Sequence, residues 1–305
     1  MAGLVVLEKM VMLVLLMLVG FLAAKGKWVD ESFGQKASFL VANVFIVATI
    51  LASVVGMEPL FSGRELVVSV VAVFILFAIG GVLGWICAKL LPLSPGDRTA
   101  AWLSVFFMNN VFIGFPVVEA LFGQNAVFCA ALTGLPFNLL LFSMGVSRLR
   151  AGQGRGRVRL REVFSPALIA TLVSIVFFLG QIPFPQLVAD TVQTLGGATV
   201  PLSMVIIGIS LSQVPIREAL TDWRAYVVSL VRLILCPLVV WGVLRLFVSG
   251  TVLGVLTVIA ACPSGAMITI LSLRYGVDET FATRVNFVST VLCAGTLPLM
   301  THILL

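Results

Sequence analysis

The stretch Met108-Asn109-Asn110-Val111-Phe112-Ile113-Gly114-Phe115-Pro116 places two amides, a glycine and a proline in the middle of an apolar run. A second stretch of this kind, Ala261-Cys262-Pro263-Ser264-Gly265-Ala266, interrupts an apolar segment near the other end of the chain. Proline has no backbone N–H to donate and glycine tolerates non-helical torsions, so each stretch predicts a helix divided into two half-helices. A simple proline kink without a binding role is the alternative for either helix alone. Two such breaks favour a binding function, because broken backbone at membrane depth survives only beside protein or a watery cavity.

The composition around these stretches is that of a membrane protein. Of the 305 residues 60% are hydrophobic and 10% are charged, whereas soluble domains carry about 25% charged residues. Apolar runs of roughly 17–25 residues predict ten transmembrane helices. The predicted spans are Val5–Ala24, Ala37–Val55, Leu66–Ala88, Thr99–Phe122, Ala126–Val146, Val163–Gly180, Val188–Leu211, Tyr226–Phe247, Val252–Tyr275 and Phe281–Leu304.

The basic residues give the predicted orientation. Fifteen of the nineteen lysines and arginines fall in loops on one side of the predicted spans, three fall on the other side, and Arg232 lies inside a span. Because basic loops resist translocation, the rich side is predicted to be cytoplasmic and both termini external, in a plasma (bacterial inner) membrane. The loop Ser147–Glu162 carries six arginines and is predicted to be a basic cytoplasmic linker rather than a phosphate-binding loop, since no strand precedes it.

This linker, residues 147–162, divides the chain into five spans in residues 1–146 and five spans in residues 163–305. An odd number of spans per half turns the second half upside down, which predicts an inverted repeat of the kind found in transporters. Phe122-Gly123-Gln124-Asn125 and Tyr275-Gly276-Val277-Asp278 are similar elements at the ends of the fourth and ninth spans. Coincidence in a low-complexity apolar chain stays an alternative, and the two prolines do not align at this spacing.

The predicted binding site lies at the two breaks. Half-helix N-termini present unpaired N–H groups and a positive partial charge, which suit a carboxylate. Asn109, Asn110 and Ser264 add neutral hydrogen-bond donors, and with Gly114 and Gly265 they form the predicted substrate-binding set.

Four further residues have predicted roles at the same place. Pro116 and Pro263 are predicted to break the helices. Arg232 is a cation near the middle of a span, where its placement costs roughly 2.5–3.5 kcal/mol. It is expected to stabilise the C-terminal carbonyls at the crossing, with direct substrate contact as the alternative. Glu119 is the sole acidic candidate for proton coupling near the breaks.

Other chemistry is not predicted. The cysteines form no C-x-x-C pair and none is near His302, so neither a metal site nor a cofactor is expected. An intramembrane enzyme would need metal ligands, paired aspartates or a serine–lysine pair, so the chain is not expected to be an enzyme. No nucleic-acid partner is expected. Remaining polar residues in the spans are expected to be hydrogen-bond partners between helices; they are Asn43, Asn138, Asn286, Ser289 and Thr290.

With these motifs in view, the chain resembles the auxin efflux carrier family, whose bacterial members include malate and malonate permeases. Residues Asn109 to Pro116 are similar to the family's N-x-G-F-x-G-x-P element, and the resemblance runs along nearly the whole chain. It continues in Pro201-Leu202-Ser203-Met204, Arg232-Leu233 and Thr296-Leu297-Pro298. Three residues depart from the family's pattern and make the predicted pocket more apolar; they are Val47, Val111 and Met267.

The resemblance implies an all-α fold of ten spans, an inverted 5+5 repeat, in which the broken spans four and nine cross. It also implies a scaffold of spans one, two, six and seven, a moving domain of spans three to five and eight to ten, and a homodimer formed through the scaffold. The implied function is secondary transport of a small organic anion by alternating access, with a dicarboxylate such as malonate or malate, or another carboxylate, as substrate. A sodium-coupled organic anion symporter of the bile-acid type is the main alternative, and a passive anion channel is a third.

Overall fold

The computed structural model describes residues 2–56, 63–150, 164–213, 221–274 and 280–304, and these ranges are helical, with no β-strand among them. The helices are α1 (Ala2–Lys25), α2 (Glu31–Leu40), α3 (Ile46–Ala52), α4 (Gly63–Leu90), α5 (Pro95–Phe106), α6 (Phe115–Phe122), α7 (Ala126–Ala131), α8 (Gly134–Leu140), α9 (Val146–Arg150), α10 (Pro166–Gly180), α11 (Gln186–Gly197), α12 (Thr199–Gln213), α13 (Trp223–Leu230), α14 (Cys236–Leu244), α15 (Gly250–Ala260), α16 (Met267–Arg274) and α17 (Thr280–Leu304).

Several of these helices are long and apolar enough to cross a bilayer. By length and composition there are six in the described part of the chain, joined by four shorter apolar helices. This agrees with the predicted all-helical, multi-pass membrane protein. The six are Ser32–Ala52, Glu65–Leu90, Ala126–Leu149, Gln186–Ser212, Trp223–Leu244 and Thr280–Leu304, and the shorter ones are Val11–Lys25, Asn110–Phe122, Pro166–Gly180 and Gly250–Ala260.

Some predicted boundaries differ from the observed ones. Helix α9 continues to Arg150, so the helical structure extends into the predicted linker, and residues 151–162 of that linker lie outside the described residues. The predicted seventh span is divided at Ala198 into α11 and α12. The repeat element Tyr275–Asp278 also lies outside the described residues.

Helix starts follow local sequence signals. The Asp30 carboxylate accepts a hydrogen bond from the Phe33 N–H at 2.7 Å and so caps α2. Ser94 and Ser165 cap α5 and α10 in the same way, and each is followed by a proline at the first helical position. These side chains satisfy N–H groups that a helix N-terminus leaves without partners, which fixes where the segments begin.

Four π-helical turns interrupt the α-helices of the described residues. Each inserts one wider turn, which rotates the side chains that follow it relative to a regular α-helix. The turns are Val41–Phe45, Asn110–Gly114, Leu141–Gly145 and Val231–Leu235.

Helices α1 and α12 pack with their backbones almost in contact. A Cβ atom added at Gly20 would lie 1.9 Å from the Val205 carbonyl oxygen, and one added at Gly208 would lie 1.8 Å from the Met17 carbonyl oxygen. Only glycine fits at either position. Small residues of this kind let membrane helices approach closely, because van der Waals packing rather than hydrophobic burial joins helices in lipid.

Buried hydroxyl groups join the neighbouring helices to this pair. The Thr49 and Thr199 hydroxyls are 2.7 Å apart, between α3 and the start of α12. Ser174 of α10 donates to the Ile50 carbonyl at 3.2 Å. Helices α1, α3, α10, α11 and α12 therefore form one packed group. Helices α4, α7, α13, α14 and α17 pack against the two interrupted segments.

Candidate functional site

The two interruptions predicted from the sequence lie against one another. Between α5 and α6 the helix is interrupted at Phe107–Asn109, and between α15 and α16 at Ala261–Ala266. Met108 and Ser264 form an isolated antiparallel bridge. The Asn109 N–H donates to the Pro263 carbonyl at 2.8 Å, and the Gly265 N–H donates to the Phe107 carbonyl at 2.9 Å. Each break thus supplies hydrogen-bond partners that the other lacks.

The first break lies upstream of Pro116, which was predicted to cause it. Pro116 is within the first turn of α6, directly after the π-helical turn Asn110–Gly114. A proline removes one backbone hydrogen bond and crowds the preceding turn, and a wider turn just before it relieves both effects. Pro263, in contrast, lies within the second break, where its carbonyl accepts the hydrogen bond from Asn109.

Gly114 and Gly265 make close contacts where the two breaks meet. A Cβ atom at Gly114 would lie 2.6 Å from Cδ1 of Ile259, and one at Gly265 would lie 3.3 Å from the carbonyl oxygens of Phe107 and Met108. Both glycines were predicted to bind substrate. The structure places them where the two segments pack against each other, and their lack of a side chain permits that packing.

Four helix ends meet where the two breaks contact each other. Helices α5 and α15 end there, with C-terminal carbonyls and a negative partial charge. The turn that begins at Asn110 and helix α16, from Met267, start there, with N–H groups and a positive partial charge. Two helix ends with negative partial charge and two with positive partial charge thus lie close together.

Arg232 satisfies the negative ends. It lies in the π-helical turn Val231–Leu235 and is 1% exposed. Its Nε donates to the Cys262 carbonyl at 3.0 Å, Nη1 to the Val105 carbonyl at 3.1 Å, and Nη2 to the Ile259 carbonyl at 3.3 Å. One guanidinium therefore contacts the C-terminal ends of both α5 and α15, while the N-terminal ends keep their positive character.

Asn109 and Asn110 lie in different surroundings. The Asn109 side-chain oxygen accepts a hydrogen bond from the Phe112 N–H at 3.2 Å, so Asn109 caps the turn at the first break. The Asn110 amide donates to the Thr133 hydroxyl at 2.9 Å, between α7 and α8, and Asn110 is 2% exposed. The structure therefore brings Asn109 and Ser264 together and turns the Asn110 side chain to a neighbouring helix pair.

Ser264 supplies a buried hydroxyl without a partner. Its N–H donates to the Ser289 hydroxyl at 3.2 Å, and its own Oγ meets no hydrogen-bond partner among the described residues. Ser289 in turn donates to the Asn286 carbonyl at 3.1 Å, and the Asn286 side-chain oxygen is also buried and unpartnered within the described ranges. Most buried polar atoms in native proteins have a hydrogen-bond partner, so these two oxygens are available to bind a ligand or a water molecule.

Asn286 and Ser289 were assigned to contacts between helices by the sequence interpretation. Their spacing with Thr290 in the sequence indicates a second role, in the candidate binding site. Positions i, i+3 and i+4 share one face of a helix, and this face of α17 meets the break at Ser264. This face carries the Asn286 amide and the Ser289 and Thr290 hydroxyls. Helix α17 is therefore a third element of the candidate site, beside the two broken segments.

A narrow apolar cavity lies between α1 and α12 on one side and α6 and α17 on the other. Its volume is about 30 Å³, room for about one water molecule. Met17 and Met204 line it opposite Val117 and Leu297, and Thr290 adds one hydroxyl. The interface between α1 and α12 on one side and α6 and α17 on the other, here called the seam, is therefore nearly closed beside the two breaks.

A polar cluster that sequence analysis did not single out lies at the start of α13. The Asp222 carboxylate accepts two hydrogen bonds from the Arg224 guanidinium, at 2.8 and 2.7 Å, and lies 3.6 Å from Nη1 of Arg284 on α17. The Arg224 hydrogen bonds lower the pKa of Asp222. Arg224 also donates to the Pro92 carbonyl at 3.3 Å, so the cluster joins α13, α17 and the segment after α4. An open cavity of about 440 Å³ adjoins it.

Comparison with known proteins gives matches along nearly the whole chain. A family model described as membrane transport protein matches residues 5–149 and 155–301. An uncharacterized transporter of Methanothermobacter thermautotrophicus is 27% identical over 301 residues, which cover 97% of this chain and 98% of the relative. An uncharacterized transporter of Methanocaldococcus jannaschii is 24% identical over 309 residues, which cover 98% of this chain and 99% of that relative.

Proposed function

This chain belongs to the auxin efflux carrier family of membrane transport proteins, and from that premise we propose that it is a secondary transporter of a small organic anion. The observation that carries the proposal is the meeting of two helix N-termini beside the buried Ser264 hydroxyl, which has no hydrogen-bond partner among the described residues. A carboxylate is the ligand that best satisfies such a group of donors.

The proposed topology is ten spans in an inverted 5+5 repeat, with both termini external and the basic linker cytoplasmic. Two contacts support it. Thr49 and Thr199, 150 residues apart in the chain, share a hydrogen bond, and Met108 pairs with Ser264 at a similar separation. In an inverted repeat, residues near the pseudo-two-fold axis contact residues about one repeat length away, and both pairs support such an arrangement.

Arg232 has a positioning role in this proposal. Its guanidinium donates to three carbonyls of the crossing, so its charge offsets the partial charges of the two C-termini. Without it, those carbonyls would repel an anion held nearby. Substrate contacts are assigned to Asn109, Ser264 and the N–H groups at the starts of the π-helical turn and α16, with Asn286 beside them.

The proposed substrate is a small carboxylate, with the dicarboxylates malonate and malate as the first candidates. The binding groups near the crossing are helix ends, hydroxyls and amides, which together suit one carboxylate group. A further carboxylate would need a second set of donors or a position nearer to water. Transport of monocarboxylates and dicarboxylates of equal chain length, measured side by side, shows whether the site needs one carboxylate group or two.

Alternating access is proposed to arise from movement between two groups of helices. The scaffold would be α1–α3 and α10–α12, and the moving domain would hold the crossing, α4–α9 and α13–α17. The nearly closed apolar seam between Met17, Met204 and Val117 supports this division, because such a surface has few directional contacts to break. The scaffold is also the proposed contact between two copies in a plasma membrane.

Uptake of radiolabelled malonate and malate into proteoliposomes tests the proposal. Ser264→Ala and Asn109→Ala are expected to reduce flux at least tenfold, the loss of one to two charge-assisted hydrogen bonds. Ser203→Ala is the matched control, because Ser203 of α12 also has a buried hydroxyl without a partner in the described part of the chain. Equal flux in wild type and both site variants would contradict the site. Dependence on sodium would favour a sodium symporter, and flux that does not saturate would favour a channel.

A further inference from the structure

Glu119 is a partly buried acid that the proposed site does not use. It lies on α6, close to the end of that helix at Gly123, whose N–H donates to the Glu119 carbonyl at 2.9 Å. One of its carboxyl oxygens, Oε2, is buried and meets no hydrogen-bond partner in the described ranges. A carboxylate held in this way is costly, and an ionisable group at membrane depth without a structural partner usually has a function.

The elements that pack against α6 offer few charges to Glu119. They are α1, α7, α12, α15 and the preceding π-helical turn, with α17 beside Val117 at the narrow cavity. Their titratable side chains are Cys129 on α7, Glu8, Lys9 and Lys25 on α1, and Arg284, Cys293 and His302 on α17, whereas α12, α15 and the turn have none. Glu8, Lys9 and His302 are exposed, Lys25 lies at the opposite end of α1 from Glu8, Arg284 lies beside Asp222, and Cys293 lines the apolar cavity. A proton is therefore the available partner for the Glu119 carboxylate.

Movement of α6 would make this partner necessary. Under the proposed function, α6 shifts with the crossing along α1 and α12. Residues 10–24 of α1 and the whole of α12 contain no charged residue. With the anion bound, an ionised Glu119 would carry a further negative charge along this apolar surface without a counter-ion, whereas the neutral acid leaves only the charge of the anion.

We propose that Glu119 is the proton-binding site that couples anion transport to the proton gradient. The carboxylate takes one proton from the external water, moves as the neutral acid while the anion is bound at the crossing, and releases the proton after the movement. The carrier then returns without the anion and with Glu119 ionised, so that each cycle moves one anion and one proton. This inference rests on the proposed function, since it needs an anion carrier to which the proton is coupled.

The test uses proteoliposomes that contain the pH dye pyranine and are supplied with radiolabelled malonate. In the wild type, malonate entry is expected to be accompanied by proton entry and to be accelerated by external acid. Glu119→Gln imitates the neutral acid, so this variant is expected to keep malonate counterflow and to lose both the proton entry and the acceleration. Glu8→Gln, an exposed carboxyl on α1, is the matched control and is expected to behave as the wild type.

Infrared difference spectroscopy of the purified protein adds a readout that does not need transport. A protonated-carboxyl band that is present at neutral pH in the wild type and absent in Glu119→Gln supports the inference. Its absence from the wild type, or proton entry that persists in Glu119→Gln, overturns it, even where counterflow is normal. Absence of malonate counterflow from the wild type refutes malonate transport and this proton coupling with it.

Discussion

The Arg232 Nε and the Cys262 carbonyl oxygen are 3.0 Å apart, and they join the eighth predicted span to the break in the ninth. This contact is one of three that a single guanidinium makes with the ends of α5 and α15. The arrangement depends on a planar group with several donors directed outward, which lysine cannot reproduce.

Replacement of Arg232 is therefore expected to destabilise the protein. Arg232→Met should leave three buried carbonyls unpaired and lower the free energy of unfolding by about 3 kcal/mol or more, with Arg232→Lys intermediate. Thermal unfolding in detergent, followed by tryptophan fluorescence, measures the change. Arg245→Met is the control, since Arg245 follows α14 and lies over the Trp241 ring at an exposed position. Equal loss of stability in both variants would contradict a special role for Arg232.

The contact between α1 and α12 predicts a second effect. Gly208→Ala is expected to separate the two helices, because its Cβ would lie 1.8 Å from the Met17 carbonyl oxygen. Gly242→Ala in α14 is the matched control, since a Cβ there meets nothing within 4 Å. The control should be neutral or stabilising by up to about 1 kcal/mol, as alanine favours a helix over glycine. Comparison of the two melting temperatures decides the matter, and an unchanged Gly208→Ala protein would exclude the close backbone contact.

The two adjacent asparagines are expected to differ in function. Asn110→Ala removes the hydrogen bond to Thr133 and should lower stability by about 1 kcal/mol, while substrate affinity stays close to that of the wild type. Asn109→Ala should weaken affinity more than stability. A double-mutant cycle of Asn110→Ala with Thr133→Val measures the first bond in unfolding experiments. Independent, additive effects of those two changes would show that the bond contributes little.

The Asp222 cluster predicts a dependence of stability on pH. Hydrogen bonds from Arg224 lower the pKa of Asp222 in the folded protein. The stabilisation is thus present above the usual aspartate pKa and is lost as the pH falls through the lowered folded-state value. Melting temperatures measured from neutral pH downward should show this loss, and Asp222→Asn should remove it. Asp190→Asn on α11 serves as the control, because its carboxylate accepts from an exposed glutamine amide.

Much of the architecture was predictable because lipid imposes a simple rule. A bilayer requires long apolar helices, and the two stretches of amides, glycine and proline stand out against that background. The internal position of Arg232 also indicated a carbonyl partner, since a buried cation needs acceptors. Its three acceptors, on two different helices, could not be identified before the crossing was known.

The details that sequence reasoning missed depend on contacts between distant segments. The first break lies at Phe107–Asn109 because the second break offers its backbone partners there, whereas Pro116 is accommodated locally by a wider turn. Gly114 and Gly265 lie at contacts whose partners are more than a hundred residues away. Asn110 donates to Thr133, between α7 and α8, although the adjacent Asn109 caps the turn at the break. Such orientations follow from tertiary packing and not from residue type.

The bridge between Met108 and Ser264 has a mechanical consequence. Separating the two breaks would leave two backbone N–H and two C=O groups without their hydrogen-bond partners. An amide–carbonyl hydrogen bond is worth roughly 4–6 kcal/mol in an apolar medium. Thermal energy seldom breaks two such hydrogen bonds at once, so the two joined segments are expected to move as one rigid body. In the proposed transport cycle, the conformational change then preserves the geometry of the two joined breaks and changes which side of the membrane they face.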